Sequence, residues 1–187
     1  MALKSTIFRA ELNISDVNHH HYGDHKLTIA RHPSETDERM MIRVLAFAHI
    51  IGQAAGEGVE FGKGLSTDDE PDIWQKNLRG DIVHWVELGR PSEERIRKAC
   101  GKAQQVSVFS FGDHAVELWW KEIAGKLQRH SNLNVYAINK STSTALAELT
   151  CKNMALYCSI DGNTMTIGND VRLIDVDVET LFDPSQK

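Results

Sequence analysis

The spacing of apolar residues changes along the chain, and each spacing predicts an element. From Thr6 to Ile14, Phe8, Ala10, Leu12 and Ile14 alternate with Ile7, Arg9, Glu11 and Asn13, the period-two pattern of a strand with one buried face. His25 to Ala30, with Leu27 and Ile29 on one side, reads as its return partner across a polar loop from Ser15 to Asp24. The period then lengthens. Met41, Val44, Leu45, Ala48 and Ile51 fall at helical spacing. Ser34 is the expected N-cap with Asp37 three residues on, and Gly52 and Gly56 close the helix. The run Gly56 to Gly64 reads as a flexible connection with room for a short strand.

The middle of the chain predicts a hairpin of Asp72–Asn77 with Asp81–Leu88, reversing at Arg79-Gly80. In that register Trp74 faces Trp85, as a cross-strand aromatic pair, and Asp72 faces Glu87. The two carboxylates then sit with Cβ atoms roughly 4.5–5.5 Å apart, a repulsive arrangement without a cation or proton between them. Arg90-Pro91 ends the strand, and Ser92 caps a helix with Ile96, Ala99, Cys100 and Ala103 on its buried stripe. Val106 to Phe111 is apolar on both faces, as a central strand should be. A helix follows at Ala115–Leu127, then a strand at Leu133–Ile138; the alternation implies crossover connections and parallel pairing. Lys140 to Thr144 reads as a Ser/Thr-rich break, and Ala145 to Leu149 as a short helix. Met154–Ile160 and Thr164–Ile167 flank the hairpin signal Asp161-Gly162-Asn163, and Val171–Val178 is a last strand with a frayed end beyond it.

Composition narrows the class. At 187 residues, 41% hydrophobic and 25% charged, the chain reads as one globular domain, residues 1–187. No apolar run reaches the roughly 18 residues of a membrane span. Met1 to Ser5 does not open a secretory signal, and Cys100, Cys151 and Cys158 form no CxxC pair. A cytoplasmic protein with reduced thiols in its core is expected. A net charge of −5 argues against strong non-specific binding to nucleic acid. Gly-x-Ser-x-Gly and HExxH are absent. His19, His20 and His21 are adjacent in a loop and cannot all point at one ion, so they read as a solvated loop.

The concentration of charge beside apolar strands, Asp68 to Ala103, carries the candidate chemistry. Two carboxylates at adjacent strand ends, with cations nearby, suit metal-dependent phosphodiester hydrolysis: Mg²⁺ takes one or two carboxylates plus water and phosphate, and activates the water. Asp72 and Glu87 are the candidate ligands. Glu38 lies on the same side of its helix as Met41, Ile42 and Leu45 and is a third candidate, although the first-turn dipole also favours an acid there.

Pro71-Asp72, Trp85-Val86-Glu87-Leu88-Gly89, the run Pro91 to Cys100, the segment His32 to Met41 and the Met154–Gly162 hairpin together resemble the YaeQ family of bacterial proteins across nearly the whole chain. That family is similar in fold to the PD-(D/E)xK nucleases. The resemblance implies an α/β fold: a mixed central sheet flanked by helices, a restriction-endonuclease-like core, and N- and C-terminal β-hairpins. It also implies Mg²⁺ on Asp72 and Glu87, with Glu38 as the helix glutamate. The superfamily lysine falls at Gly89, a departure. Lys98, Arg97 or Arg90 would have to supply the cation, and the helical wheel favours Arg95 or Arg97 over Lys98. Arginine holds phosphate well but is no general base. Two readings follow: a variant metal-dependent nuclease, or a non-catalytic descendant binding nucleic acid or a protein of the transcription or translation machinery. A purely structural reading makes Glu87 the ion-pair partner of Arg90 or Arg95.

Overall fold

The computed structural model describes residues 5–54, 58–62 and 70–186; Asp68 and Asp69, and the two ends of the glycine-rich connection, lie outside them. Both terminal hairpins form. Strands β1 (Thr6–Asp16) and β2 (His21–Arg31) pair antiparallel, as do β8 (Asn153–Asp161) and β9 (Thr164–Gly168). Parallel pairing of β1 with β8, and antiparallel pairing of β9 with β10 (Leu173–Val176), joins them into one five-stranded sheet in the order β10-β9-β8-β1-β2. The second sheet has six strands in the order β11-β7-β6-β5-β4-β3. These are β3 (Val59–Phe61), β4 (Ile73–Lys76), β5 (Ile82–Leu88), β6 (Gln105–Phe111), β7 (Leu133–Ile138) and β11 (Val178–Phe182). Its β5-β6-β7 centre is parallel and its two edges are antiparallel. Four α-helices complete the described residues: α1 (Asp37–Ile51), α2 (Glu93–Lys102), α3 (Asp113–Leu127) and α4 (Lys140–Ala147).

Helix α1 organises the larger core. Eleven of its fifteen residues are buried, the signature of a helix enclosed on nearly all sides. Phe47 meets His25 of the first sheet, while His49 meets Phe109 and Tyr136 of the second. Residues of both sheets share this core, from Leu12 and Ile29 to Ile73 and Val86. A smaller core under α2 and α3 gathers Trp85, Ile96, Val108 and Ile123.

Several expectations are corrected. The N-cap of α1 is Thr36, whose Oγ1 accepts from Arg39 N at 3.1 Å; Ser34 instead bonds its own neighbour His32. The Ser15–Asp24 loop shrinks to residues 17–20, because the strand ladder runs on to Asp16 and His21. Lys140–Thr144 is helical: Asn139 Oδ1 accepts from Thr142 N at 2.7 Å, and packing of Leu146 outweighs the low helix propensity of the Ser/Thr run. The end that reads as frayed is strand β11, paired with β7. Of the cysteines, Cys158 is buried, Cys100 half-buried and Cys151 exposed, so core packing accounts for only the first.

A charge-balanced candidate site at the ends of two strands

The central hairpin keeps the expected register for three pairs, Ile73 with Val86, Trp74 with Trp85 and Gln75 with His84, and then shifts by one residue, so that Lys76 lies opposite Ile82. Asn77 Oδ1 accepts from Arg79 N and Asp81 N, and Gly80 takes φ +87°, closing the turn. Each tryptophan ring has a partner other than the one expected. Lys76 Nζ lies 3.3 Å from the Trp74 ring centroid, and Trp85 is buried in the α2–α3 core.

Asp72 and Glu87 are both buried, at 5% and 2% exposure. Asp72 N donates to Val86 O at 3.0 Å, which anchors its backbone beside β5. Its Oδ2 accepts from Leu88 N at 2.9 Å and its Oδ1 from Arg39 Nη2 at 2.6 Å. Glu87 Oε1 accepts from Trp85 Nε1 at 2.6 Å, and its Oε2 pairs with Arg95 Nε at 2.9 Å. Burial pushes the Glu87 carboxyl above its ordinary value. The bonds and charge of Arg95 and Trp85 hold it back, and the Asp72 charge adds to the rise. The two acids therefore feel each other, as the register requires.

The polar network continues behind Asp72. Arg39 Nη1 donates to Glu35 Oε1 at 2.9 Å, and Arg43 Nη2 donates to Glu35 Oε2 at 2.8 Å and to Ala30 O at 3.1 Å. Arg43 is 1% exposed. Glu35, Arg39 and Arg43 stand four residues apart, so they stack along one face of α1 and the turn before it. Burial and the surrounding charges act oppositely on Arg39. The paired Asp72 and Glu35 win and raise its pKa, whereas burial wins at Arg43 and lowers it.

The other expected site residues lie elsewhere. Glu38 does not join Asp72: it accepts from Lys140 Nζ at 2.8 Å and from Ser143 Oγ at 2.5 Å, tying α1 to α4. Burial raises its pKa, but those bonds outweigh it and the net shift is downward. Lys98 is exposed and pairs with Glu94 at 3.0 Å, and Arg97 is also exposed. Neither approaches Glu87; the cation from α2 is Arg95, whose Nη2 also donates to Glu70 O at 2.9 Å. Gly89 takes φ +86°, a backbone conformation that a lysine adopts only with strain.

The residues of this site do not fit Mg²⁺ as they are arranged. Each carboxylate oxygen of Asp72 and Glu87 already accepts a bond from a protein donor. The acids Glu35, Asp72 and Glu87 are matched by Arg39, Arg43 and Arg95, so no excess negative charge is left to offset the dehydration of a small dication. Among the described residues, no group of three or more His, Cys, Asp or Glu side chains is placed to hold a metal ion.

The fold and site define a mixed α/β protein, with two mixed sheets and four helices, that carries a neutralised pair of buried acids at the ends of adjacent strands. This chain belongs to the YaeQ family: the family described as YaeQ protein matches residues 1–178. YaeQ of Escherichia coli is 36% identical over 185 residues, covering 99% of this chain and 100% of its own. The crystal structure of YaeQ protein from Xanthomonas axonopodis pv. citri superposes with a TM-score of 0.90 at 39% identity, covering 96% of this chain and 99% of that one. The crystal structure from Pseudomonas syringae gives 0.89 at 30% identity, covering 95% and 96%. No helix of the described residues is long and apolar enough to cross a membrane.

Proposed function

We propose that this chain is a non-hydrolytic protein on a restriction-endonuclease-like core, in which arginines have taken over the acids that would hold a metal, and that it acts by binding a partner. The observation that carries this reading is that each acid is already held by an arginine, Asp72 by Arg39 at 2.6 Å and Glu87 by Arg95 at 2.9 Å. Gly89 at the expected lysine position supports it, because glycine brings no side chain there to act as a general base. The net charge of −5 favours a protein partner over a phosphate backbone.

A second reading is a Mg²⁺-dependent phosphodiesterase in which the ion displaces both arginines. The influence of Asp72 on the Glu87 carboxyl favours it, since that places the two acids within electrostatic reach of one site. Thermal unfolding with and without Mg²⁺ or Mn²⁺ separates the two. A ligand that binds only the folded state raises Tm by mass action. In the non-hydrolytic reading neither ion moves the native Tm, and labelled DNA and RNA stay intact. Arg95→Gln, which strips the cation from Glu87, then gains a Mn²⁺-dependent rise. A rise in the native protein that Asp72→Asn abolishes, together with cleavage, refutes the first reading and establishes the second.

A further inference from the structure

The three adjacent histidines of the first hairpin separate in the fold. His19 Nδ1 takes Asp16 Oδ2 at 2.7 Å. His20 occupies the turn with φ 53° and is exposed. His21 returns to the inner face of β2 and meets a fourth histidine, His25. The two Nε2 atoms face each other at 2.9 Å, with ring centroids 5.1 Å apart.

These two residues are four apart on a strand, so their backbones stand about 13 Å apart at roughly 3.3 Å per residue. Their rings meet because Gly23, between them on the same face, has no side chain. A Cβ there would lie 3.6 Å from His25 Nε2 and 3.7 Å from His21 Nε2, in ordinary contact with both, so a branched side chain would press on the two rings. The His25 ring is held edge-on by Phe47, with centroids 5.7 Å apart at 72°, and Phe47 rests on Phe61 at 5.5 Å. Both rings are half-buried. Beside them a cleft of about 360 Å³ opens between β2, α1 and β3, with Glu60 in its wall.

The geometry points to a binding site for one divalent late first-row transition ion, Cu²⁺ or Ni²⁺, held by His21 Nε2 and His25 Nε2 above Gly23. Imidazole nitrogen is a preferred ligand for these ions, and affinity for such sites peaks at Cu²⁺. Two metal–nitrogen bonds of about 2.0–2.1 Å span about 2.9 Å at a right angle, the cis angle of tetragonal Cu²⁺ and Ni²⁺, against about 3.4 Å in a tetrahedron. The structure has the shorter span. Water fills the remaining positions from the cleft side. On binding, the ring that carries its proton on Nε2 passes it through solvent to its own Nδ1, so that both Nε2 lone pairs face the ion.

The test is titration of the full chain with Cu²⁺, then Ni²⁺, in a non-chelating buffer, by calorimetry and by electron paramagnetic resonance of the Cu²⁺ form. One ion binds in the micromolar range, with hyperfine structure from two nitrogens. His21→Gln and His25→Gln each weaken binding by about tenfold or more, and Gly23→Val does so with both histidines in place, while His20→Gln stays within about twofold. Two results overturn the assignment. If His20→Gln loses as much as His25→Gln, the ion sits on the exposed loop. If the native chain binds no more tightly than His21→Gln and Gly23→Val, the two rings only share a hydrogen bond.

Discussion

His84 gives the most direct check of the buried polar structure. It lies in the middle of β5, 3% exposed, with Nε2 2.8 Å from Ser107 Oγ on β6. Burial, then the nearby His49, lower its pKa from 6.5 to about 4. The unfolded chain takes up a proton at this residue as pH falls below 6.5, whereas the folded chain refuses it until about pH 4. The stability that a neutral His84 contributes is therefore complete above the unfolded pKa and is lost as pH falls toward the folded one. At about 1.36 kcal/mol per pH unit, with the curvature near each pKa included, the loss between pH 7 and pH 5 is about 2 kcal/mol from this residue. His49, also lowered to about 4, adds in the same direction. Glu87, whose folded pKa is raised, works the other way, because its protonated form is favoured in the fold. A comparison with His84→Gln isolates the residue, since glutamine keeps a donor for Ser107 but does not titrate. Urea unfolding at pH 7 and pH 5 should show the native protein losing about 2 kcal/mol more than the variant over that interval. Equal losses in the two proteins would refute a neutral, buried His84.

Glu35→Gln leaves Arg43 buried without the carboxylate it pairs with; stability to urea should fall by about 3–5 kcal/mol, the usual cost of breaking a buried pair from one side. Gly89→Lys puts a lysine beside the acid pair where nothing stands within 4 Å of the new Cβ, but at φ +86°. It should cost about 1–2 kcal/mol in urea unfolding and leave DNA uncut with Mg²⁺ present, because Arg39 and Arg95 still hold the acids.

The hairpin register was legible because it rests on local facts: a turn at Arg79-Gly80 and two runs of matching length. It brings Trp74 opposite Trp85 and Ile73 opposite Val86; the ladder stops there, one residue short of Asp72, whose backbone N–H goes to Val86 O instead. Joining the two terminal hairpins was not legible. The β1–β8 pairing links residues such as Leu12 and Leu156 across most of the chain, and no short-range pattern reports a contact at that separation. The arginines were half-visible. Arg43 sits between Ile42 and Val44 in an otherwise apolar run, and a charge there requires a buried partner. The four-residue spacing from Glu35 to Arg39 to Arg43 names that partner, even though Thr36 caps the helix and leaves Glu35 in the turn before it. Glu38 misled because a wheel gives direction without distance: it does face inward, but toward α4 rather than β4. His25 escaped notice as a ligand candidate because the adjacent histidines drew attention to the turn, and its partnership with His21 depends on the empty space above Gly23.

The arginine ladder also bears on what the acid pair can do. Arg43 reaches Ala30 O at the end of β2, and Arg39 reaches Asp72 beside β5, so α1 is bonded to both sheets through one shared carboxylate, Glu35. Buried ion pairs add little net stability over apolar packing, because desolvation consumes most of the attraction; what they impose is a single arrangement, since any other leaves a charge unpaired. Here the arrangement imposed is the seating of both sheets on α1. Any ligand that drew Arg39 away from Asp72 would therefore work against the docking of the sheets as well as against one hydrogen bond. That coupling makes Asp72 a poor place to exchange a metal on each turnover, and it is the physical ground on which the acid pair is proposed to stay locked.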